Sequence, residues 1–549
     1  MEPTPIQNDI INHDGHTVVL ASPGSGKTFV IAEKIKRLLS SDEMLEYQGV
    51  IAISYTRKAS GNLKRRTLSD GIPYKNSFFG TIDSFCLTQI ILPFGYYIIG
   101  HPEEEISPVD KNDLQPDEKK KYTWLDTKPD YEDIDNEQWD GLKDLFLKGK
   151  VLINSLELMA LMIIKNSKAC RNHLKARFKF VFIDEFQDAD TYTNGIFHEL
   201  VGLGLIGNAV GDVNQSIFGF DKKSSEYLEE LETAPGFTCF KLDENFRCSI
   251  PIINYSNRLL DKKSTIVETV EGGVKLVQVI GDEVSVADYL DKTVSQDCEK
   301  WNISDLGEVA ILVRKGDTQK YIDEHLDTPH RVVITTPLDM DLNPRSRLFA
   351  LLIQFYFDVR MAFLTVIDEF EDYDLLTRNQ RLRLNEIKTE IRSVVEEDIE
   401  DELPRLFKRV AEIILPKYPE GASVERLENV LSNKQLLDTY KPLTGNEVVI
   451  MTLHKAKGLE FDLVYHLNLN QWEIPYKEVN NGDWDNPDFP SWDQDLDLHY
   501  VGVTRAKKAC VLITSTSRHN SKGQIRNSEP SEFLTMNGLE ELRENYTYG

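Results

Sequence analysis

Residues 17–28, Thr-Val-Val-Leu-Ala-Ser-Pro-Gly-Ser-Gly-Lys-Thr, decide how the chain folds. Thr17-Val18-Val19-Leu20 is a short β-branched run, the composition of a strand. The following ASPGSGKT fits a pattern of fixed and free positions. Ala21, Gly26, Lys27 and Thr28 stand in the fixed places, with Ser22, Pro23, Gly24 and Ser25 between them. From Phe29 to Leu39 apolar residues recur at Ile31, Ile35, Leu38 and Leu39, one face of a helix. Gly24 and Gly26 let the backbone turn successive N–H groups into one concavity at the positive end of that helix. Such a cradle suits a polyphosphate, with Lys27 placed for the β- and γ-phosphates and Thr28 for Mg2+.

Outward from this unit, Val50–Ile53, Phe178–Ile183 and Ala209-Val210 read as further strands. Strands that alternate with helices predict a parallel sheet buried on both faces. The pattern starts again with Val274–Val279, Val309–Val313, Val332–Thr335, Val448–Met451, Leu463–Leu467 and Cys510–Thr514. Residues 87–175, helical and acidic, and residues 360–445, charged and helical in period, fit neither set. The predicted fold class is therefore α/β: two P-loop-type parallel-sheet cores, each with a mainly helical insertion. The first core takes residues 1–86 and 176–240 around insertion 87–175. The second takes 241–359 and 446–549 around the short insertion 360–445.

Composition narrows the function classes. A chain of 549 residues has room for several cores. No apolar run reaches the ~18 residues of a membrane span, and the start MEPTPIQNDI is too polar for a signal peptide. The six cysteines form no CxxC pair, so zinc ribbons and disulfide scaffolds are not expected. Their use fits a reducing, cytoplasmic setting. Net charge is −27, so nucleic acid would be repelled by the molecule as a whole and must bind in a local groove. The acids cluster, with 14 against 5 basic residues over 101–140 and six in the seven positions of EEDIEDE, 396–402. Such runs read first as solvated faces.

The P-loop needs a carboxylate partner at the end of a buried strand. FVFIDEFQD, 180–188, supplies Asp184 after four hydrophobic residues, with Glu185 next. The first carboxylate suits the magnesium shell and the second suits the attacking water. The pair of motifs predicts an ATPase that uses ATP and Mg2+.

Six further motifs follow in one order. They are SYTRKAS (54–60), GTIDSFC (80–86), GDVNQSIFGF (211–220), LDENFRCS (242–249), VVIMTLHKAKGLEFDLVYHL (448–467) and YVGVTRAKKACVLITS (500–515). With ASPGSGKT and DEFQD they resemble the UvrD/Rep/PcrA helicases of superfamily one. The resemblance implies two RecA-like cores that share one ATP. It gives phosphate and metal to Lys27, Thr28 and Asp184, the water to Glu185, and γ-phosphate sensing to Gln215. Arg247 and Arg505 become arginine fingers from the second core. Gln7 and Phe246 take the adenine, and Glu460 the ribose.

The same resemblance implies a track for single-stranded nucleic acid along Thr56, Arg57, Phe85, Phe218, Phe220 and His454, where aromatic rings stack on bases without reading sequence. Lys64-Arg65-Arg66 and Lys168, Arg171, Lys175 and Arg177 are additional candidate phosphate contacts. The chain departs from the family at Asp221-Lys222-Lys223 and at DQDLDLH, 493–499. The implied activity is 3′–5′ movement on single-stranded DNA, with tailed duplex DNA as substrate. A second reading makes the chain a nucleotide-sensing regulatory ATPase, with little processive unwinding, beside a nuclease subunit in a Gabija-type antiphage complex.

Overall fold

A computed structural model describes residues 2–42, 44–104, 106–111, 114–212, 215, 225–269, 272–341, 343–370, 376–416, 418, 420–479, 487–520 and 522–549. Two parallel sheets organise these residues. Across the six-stranded sheet the strands begin at Phe78, Gly49, Phe178, Ile206, His16 and Phe237. Across the seven-stranded sheet they begin at His330, Val448, Val309, Phe461, Ala506, Val274 and Glu544. Every neighbouring pair in both sheets runs parallel.

The central strands are uninterrupted hydrophobic runs because helices cover both faces of the sheets. All residues of Gly49–Ile53 and of Val309–Val313 are buried. Strand His16–Ala21 leads into the helix Lys27–Leu39. That helix lays Val30, Ile31, Ile35, Leu38 and Leu39 onto the sheet. Its N-cap is Gly26 at φ +87°, a left-handed conformation that costs glycine nothing and most residues about 1–2 kcal/mol.

Three edge strands were not expected: Phe78–Gly80, Phe237–Leu242 and Glu544–Tyr548. The first has only three residues, and the other two are largely half-exposed, so neither gives the buried apolar run by which the inner strands are read. The expected strand Val332–Thr335 is instead His330–Val332.

Segment 87–175 is mainly helical but holds two short parallel strands, Ser107–Val109 and Lys150–Leu152. Its helix Leu156–Asn166 shares one hydrophobic cluster with Val181 and Ile183 of the first sheet. Helices Arg378–Ser393, Ile399–Ile414 and Ser423–Ser432 form a core of their own, into which Leu338 and the helix Pro344–Phe357 also pack. No helix among the described residues is long and apolar enough to cross a membrane.

Candidate nucleotide site and nucleic-acid track

The phosphate loop is held from below and from the side. Gln7 lies in the first helix, Pro5–Asn12, where a capping box with Thr4 fixes its rotamer. Its Nε2 donates to the Ser25 carbonyl at 3.0 Å, while its Oε1 accepts from the Thr4 N–H at 3.0 Å. At Gly24 (φ +72°) a Cβ would fall 2.5 Å from Asn245 Oδ1 and 2.6 Å from Arg247 Cβ. The loop can therefore touch the ENFR segment only through a glycine. Phe246 N–H donates to the Gly24 carbonyl at 3.0 Å, and the Phe246 side chain beside it stays half-exposed. Asn245 Oδ1 accepts from the N–H groups of Arg247 and Cys248, an Asx turn that fixes where Arg247 leaves the backbone.

At the strand end Asp184 is buried, and its Oδ1 takes the Glu185 N–H at 3.0 Å. Glu185 stands in the left-handed region at φ +57°, an uncommon place for a side-chain-bearing residue and one that often marks a functional site. Burial, then the neighbouring Glu185 charge, push the Asp184 carboxyl above the usual carboxylate range. Burial would also raise Glu185, but Lys27, Lys457, the Gln187 amide and Arg505 outweigh it and hold its carboxyl below the usual range. The two carboxyls are thus pushed in opposite directions, and Glu185 is the one kept ionised.

From Glu185 a chain of hydrogen bonds runs toward the second sheet. Gln187 Nε2 donates to Glu185 Oε2 at 2.5 Å, and Gln187 Oε1 accepts from the Asp212 N–H at 2.9 Å. Asp212 lies 4.0 Å from Lys27 Nζ and accepts from Gln215 Nε2 at 2.7 Å. Gln215 Oε1 accepts from Arg505 Nη2 at 3.2 Å. Lys457 crosses beside it, donating to Asp188 Oδ2 at 2.5 Å and to the Gln215 carbonyl at 2.7 Å. Arg505 is buried, and its Nη1 also bonds the Leu459 carbonyl at 3.3 Å. Arg247 pairs with Glu460 at 2.6 Å and donates to the Thr504 carbonyl at 3.4 Å. The two arginines, the glutamate and the phosphate loop therefore meet at one place.

Sequence reasoning did not single out Gln187, Asp188, Asp212 or Lys457, although all four lie inside the quoted motifs. Each was visible as a polar residue of DEFQD, GDVNQ or HKAKG.

Two family descriptions match this chain. The UvrD/REP helicase N-terminal domain matches residues 4–145 and 102–235, and the UvrD-like helicase C-terminal domain matches residues 351–517. The chain belongs to the UvrD-like helicase family. It is 24% identical to the Gabija protein GajB of Bacillus cereus over 536 residues, which cover 94% of this chain and 96% of that one. It is 23% identical to a probable DNA helicase II homologue of Rickettsia conorii, covering 96% and 94% of the two chains. It is 21% identical to the ATP-dependent DNA helicase PcrA of Staphylococcus aureus, covering 98% and 86%.

On this UvrD-like chain the expected nucleic-acid residues fare unequally. Phe85 is a correction. It is fully buried, edge-on to Phe78 at 5.3 Å and to Phe178 at 6.5 Å, so it builds the first core and offers no face to a base. Thr56 is exposed and caps the helix Arg57–Thr67, accepting the Ala59 N–H at 3.1 Å. The Arg57 side chain and the whole of Phe218 and Phe220 lie outside the described residues. His454 sits in the short helix Leu453–Ala456. Burial, then the charges of Arg314 and Lys457, lower its pKa to about 4, so its ring is neutral at physiological pH.

The basic clusters divide as well. Arg171 closes the preceding helix by donating to the Ile164 and Lys165 carbonyls, and Arg177 ties Asn76 to Gln89. Both serve the fold. Arg65 and Arg66 remain exposed at the end of helix Arg57–Thr67. In the DQDLDLH departure, Asp495 is buried and pairs with Arg314 at 2.7 Å, Ser491 Oγ at 2.8 Å and the Tyr476 N–H at 2.8 Å.

Proposed function

We propose that the chain is an ATP-dependent DNA helicase that moves 3′ to 5′ on single-stranded DNA, driven by hydrolysis in a pocket built from both sheets. ATP hydrolysis and DNA-helicase activity follow from the family and from relatives named as ATP-dependent DNA helicases. Polarity and residue roles are our reading. The observation that carries it is the pair of contacts across the pocket, Phe246 to Gly24 and Arg505 to Gln215.

In this reading Lys27 and the backbone N–H groups of Gly24, Gly26, Lys27 and Thr28 hold the phosphates. Gln7 and Phe246 hold the adenine, and Glu460 the ribose. Thr28 and Asp184 are hard oxygen donors that fit Mg2+. Bound Mg·ATP supplies the phosphoryl group to be transferred. Glu185 orients and accepts a proton from water, and Gln215 senses the γ-phosphate. Arg247 and Arg505 offset the negative charge that builds on the phosphoryl oxygens.

Because donors from both sheets converge on the γ-phosphate, the sheets close when it is present and relax when it leaves. Alternating grip on a single strand then converts each cycle into a step. Phosphate release with and without single-stranded DNA, next to strand separation on a 3′-tailed duplex, tests the proposal. Strong stimulation and separation support it, and ATPase indifferent to DNA defeats it.

A second reading keeps the ATPase but makes it the nucleotide-sensing subunit of a nuclease-containing defence complex. The similarity to the Gabija protein over nearly all of both chains favours it. DNA-stimulated ATPase with little unwinding, and co-purification with a nuclease, would select this reading.

A further inference from the structure

Between the first sheet's surface and the second helical unit lies a cavity of about 470 Å3, within the range of about 300–1,000 Å3 that ligand pockets take. One wall carries Lys64 of helix Arg57–Thr67, Tyr74, and the hydroxyls of Thr81 and Ser84 from GTIDS. Lys64 Nζ stands 5.5 Å from the centre of the Tyr74 ring. The other wall carries Arg347, Glu369 and Phe370. Arg347 lies over the Phe370 ring at 5.7 Å. Cations, hydroxyl donors and rings on facing walls are the chemistry that binds a single strand's phosphates and bases.

Two acids share this lining, Asp83 within GTIDS and Glu369 on the facing wall. Glu369 pairs with Arg347 at 2.6 Å, and its carboxylate reaches across to the first core. There a Cβ on Gly61 would come within 3.4 Å of Glu369 Oε1. Arg347 and Glu369 both belong to the second half of the chain, whereas Gly61 belongs to the first core. A phosphate that reached Arg347 from the GTIDS side would have to take the place the carboxylate now holds. Guanidinium pairs with carboxylate and phosphate by the same fork geometry, so one can be exchanged for the other.

We propose that Glu369 is a built-in competitor for nucleic acid, occupying at Arg347 the position of a backbone phosphate until a strand displaces it. The inference rests on the reading of the chain as a single-stranded DNA translocase. It assigns Arg347 to the nucleic-acid track and makes strand binding depend on release of an internal ion pair.

The test measures binding of a fluorescently labelled single-stranded oligo(dT) to the full chain and to two variants, with thermal midpoints recorded to show that each is folded. Glu369→Gln should tighten binding about 3–10-fold, and Arg347→Gln should weaken it by a similar factor. Opposite shifts from the two ends of one ion pair are what displacement requires. If both variants weaken binding, or Glu369→Gln leaves it unchanged while wild type binds, the pair is merely structural and the inference falls. If neither wild type nor Glu369→Gln binds, the translocase reading falls with it.

Discussion

In the proposed mechanism Lys27 and Glu185 are the residues on which the chemistry turns. Lys27 Nζ lies 4.0 Å from Asp212, and its charge is among those that hold Glu185 ionised. Lys27→Ala should reduce phosphate release to background, at least about 100-fold, because nothing else in the loop carries positive charge to the phosphates. Normal turnover would remove the site. Glu185→Gln should bind a fluorescent ATP analogue as wild type does and hydrolyse ATP about 10²–10⁴-fold more slowly. An unchanged rate would show that another group orients the water. At this scale the sequence was most legible in placement: the glycines, Lys27 and the Asp184-Glu185 pair lie where the motif spacing puts them. Gln187, Asp188, Asp212 and Lys457 escaped because they bond protein neighbours rather than standing in a fixed motif place. An amide or carboxylate that bonds a neighbour looks like any polar residue until the partners are in space.

Elements show where reading by motif goes astray. Phe85 lies in a family motif, yet the helix turn that carries it points its ring between Phe78 and Phe178. Phe85→Ala should therefore cost about 3–5 kcal/mol of stability and leave DNA affinity of the folded fraction unchanged. A stable variant with weakened DNA binding would restore its place on the track. The helix Lys27–Leu39 carries a second, less visible feature. Lys34 is buried, with Nζ 3.0 Å from Thr17 Oγ1, and burial, then the Arg37 charge, lowers its pKa to about 7. The unfolded chain binds this proton up to about pH 10.5, so between there and pH 7 the unfolded state holds more protons and stability falls as pH falls. Lys34→Met should thus raise the thermal midpoint, by about 2–4 kcal/mol in stability at pH 7 and by progressively less toward pH 10. An equal gain at every pH would refute a neutralised lysine. Inner strands were legible because burial on both faces leaves only apolar residues. Phe237–Leu242 and Glu544–Tyr548, at the edges, lack that signature. The acidic run at 396–402 resolves into a 3-10 turn, Glu396–Asp398, and the first turn of Ile399–Ile414, where Glu400, Asp401 and Glu402 lie at the positive end of the helix dipole.

For the molecule as a whole, two parallel sheets are legible in the sequence, since the strand–helix alternation simply occurs twice. What it did not show is how the second helical unit, with Leu338 and Pro344–Phe357 in its core, reaches back to touch Gly61. That contact arises between segments far apart in the chain, where no local pattern reports it. The central claim is that one ATP site is completed by side chains from both sheets. Its most direct test is Arg505→Ala, assayed for binding of a fluorescent ATP analogue and for phosphate release under saturating single-stranded DNA. The account predicts that nucleotide still binds while hydrolysis falls about 10³-fold or more, because Arg505 acts on charge that develops only during phosphoryl transfer. Hydrolysis at the wild-type rate would mean that the first sheet works alone, and would contradict it.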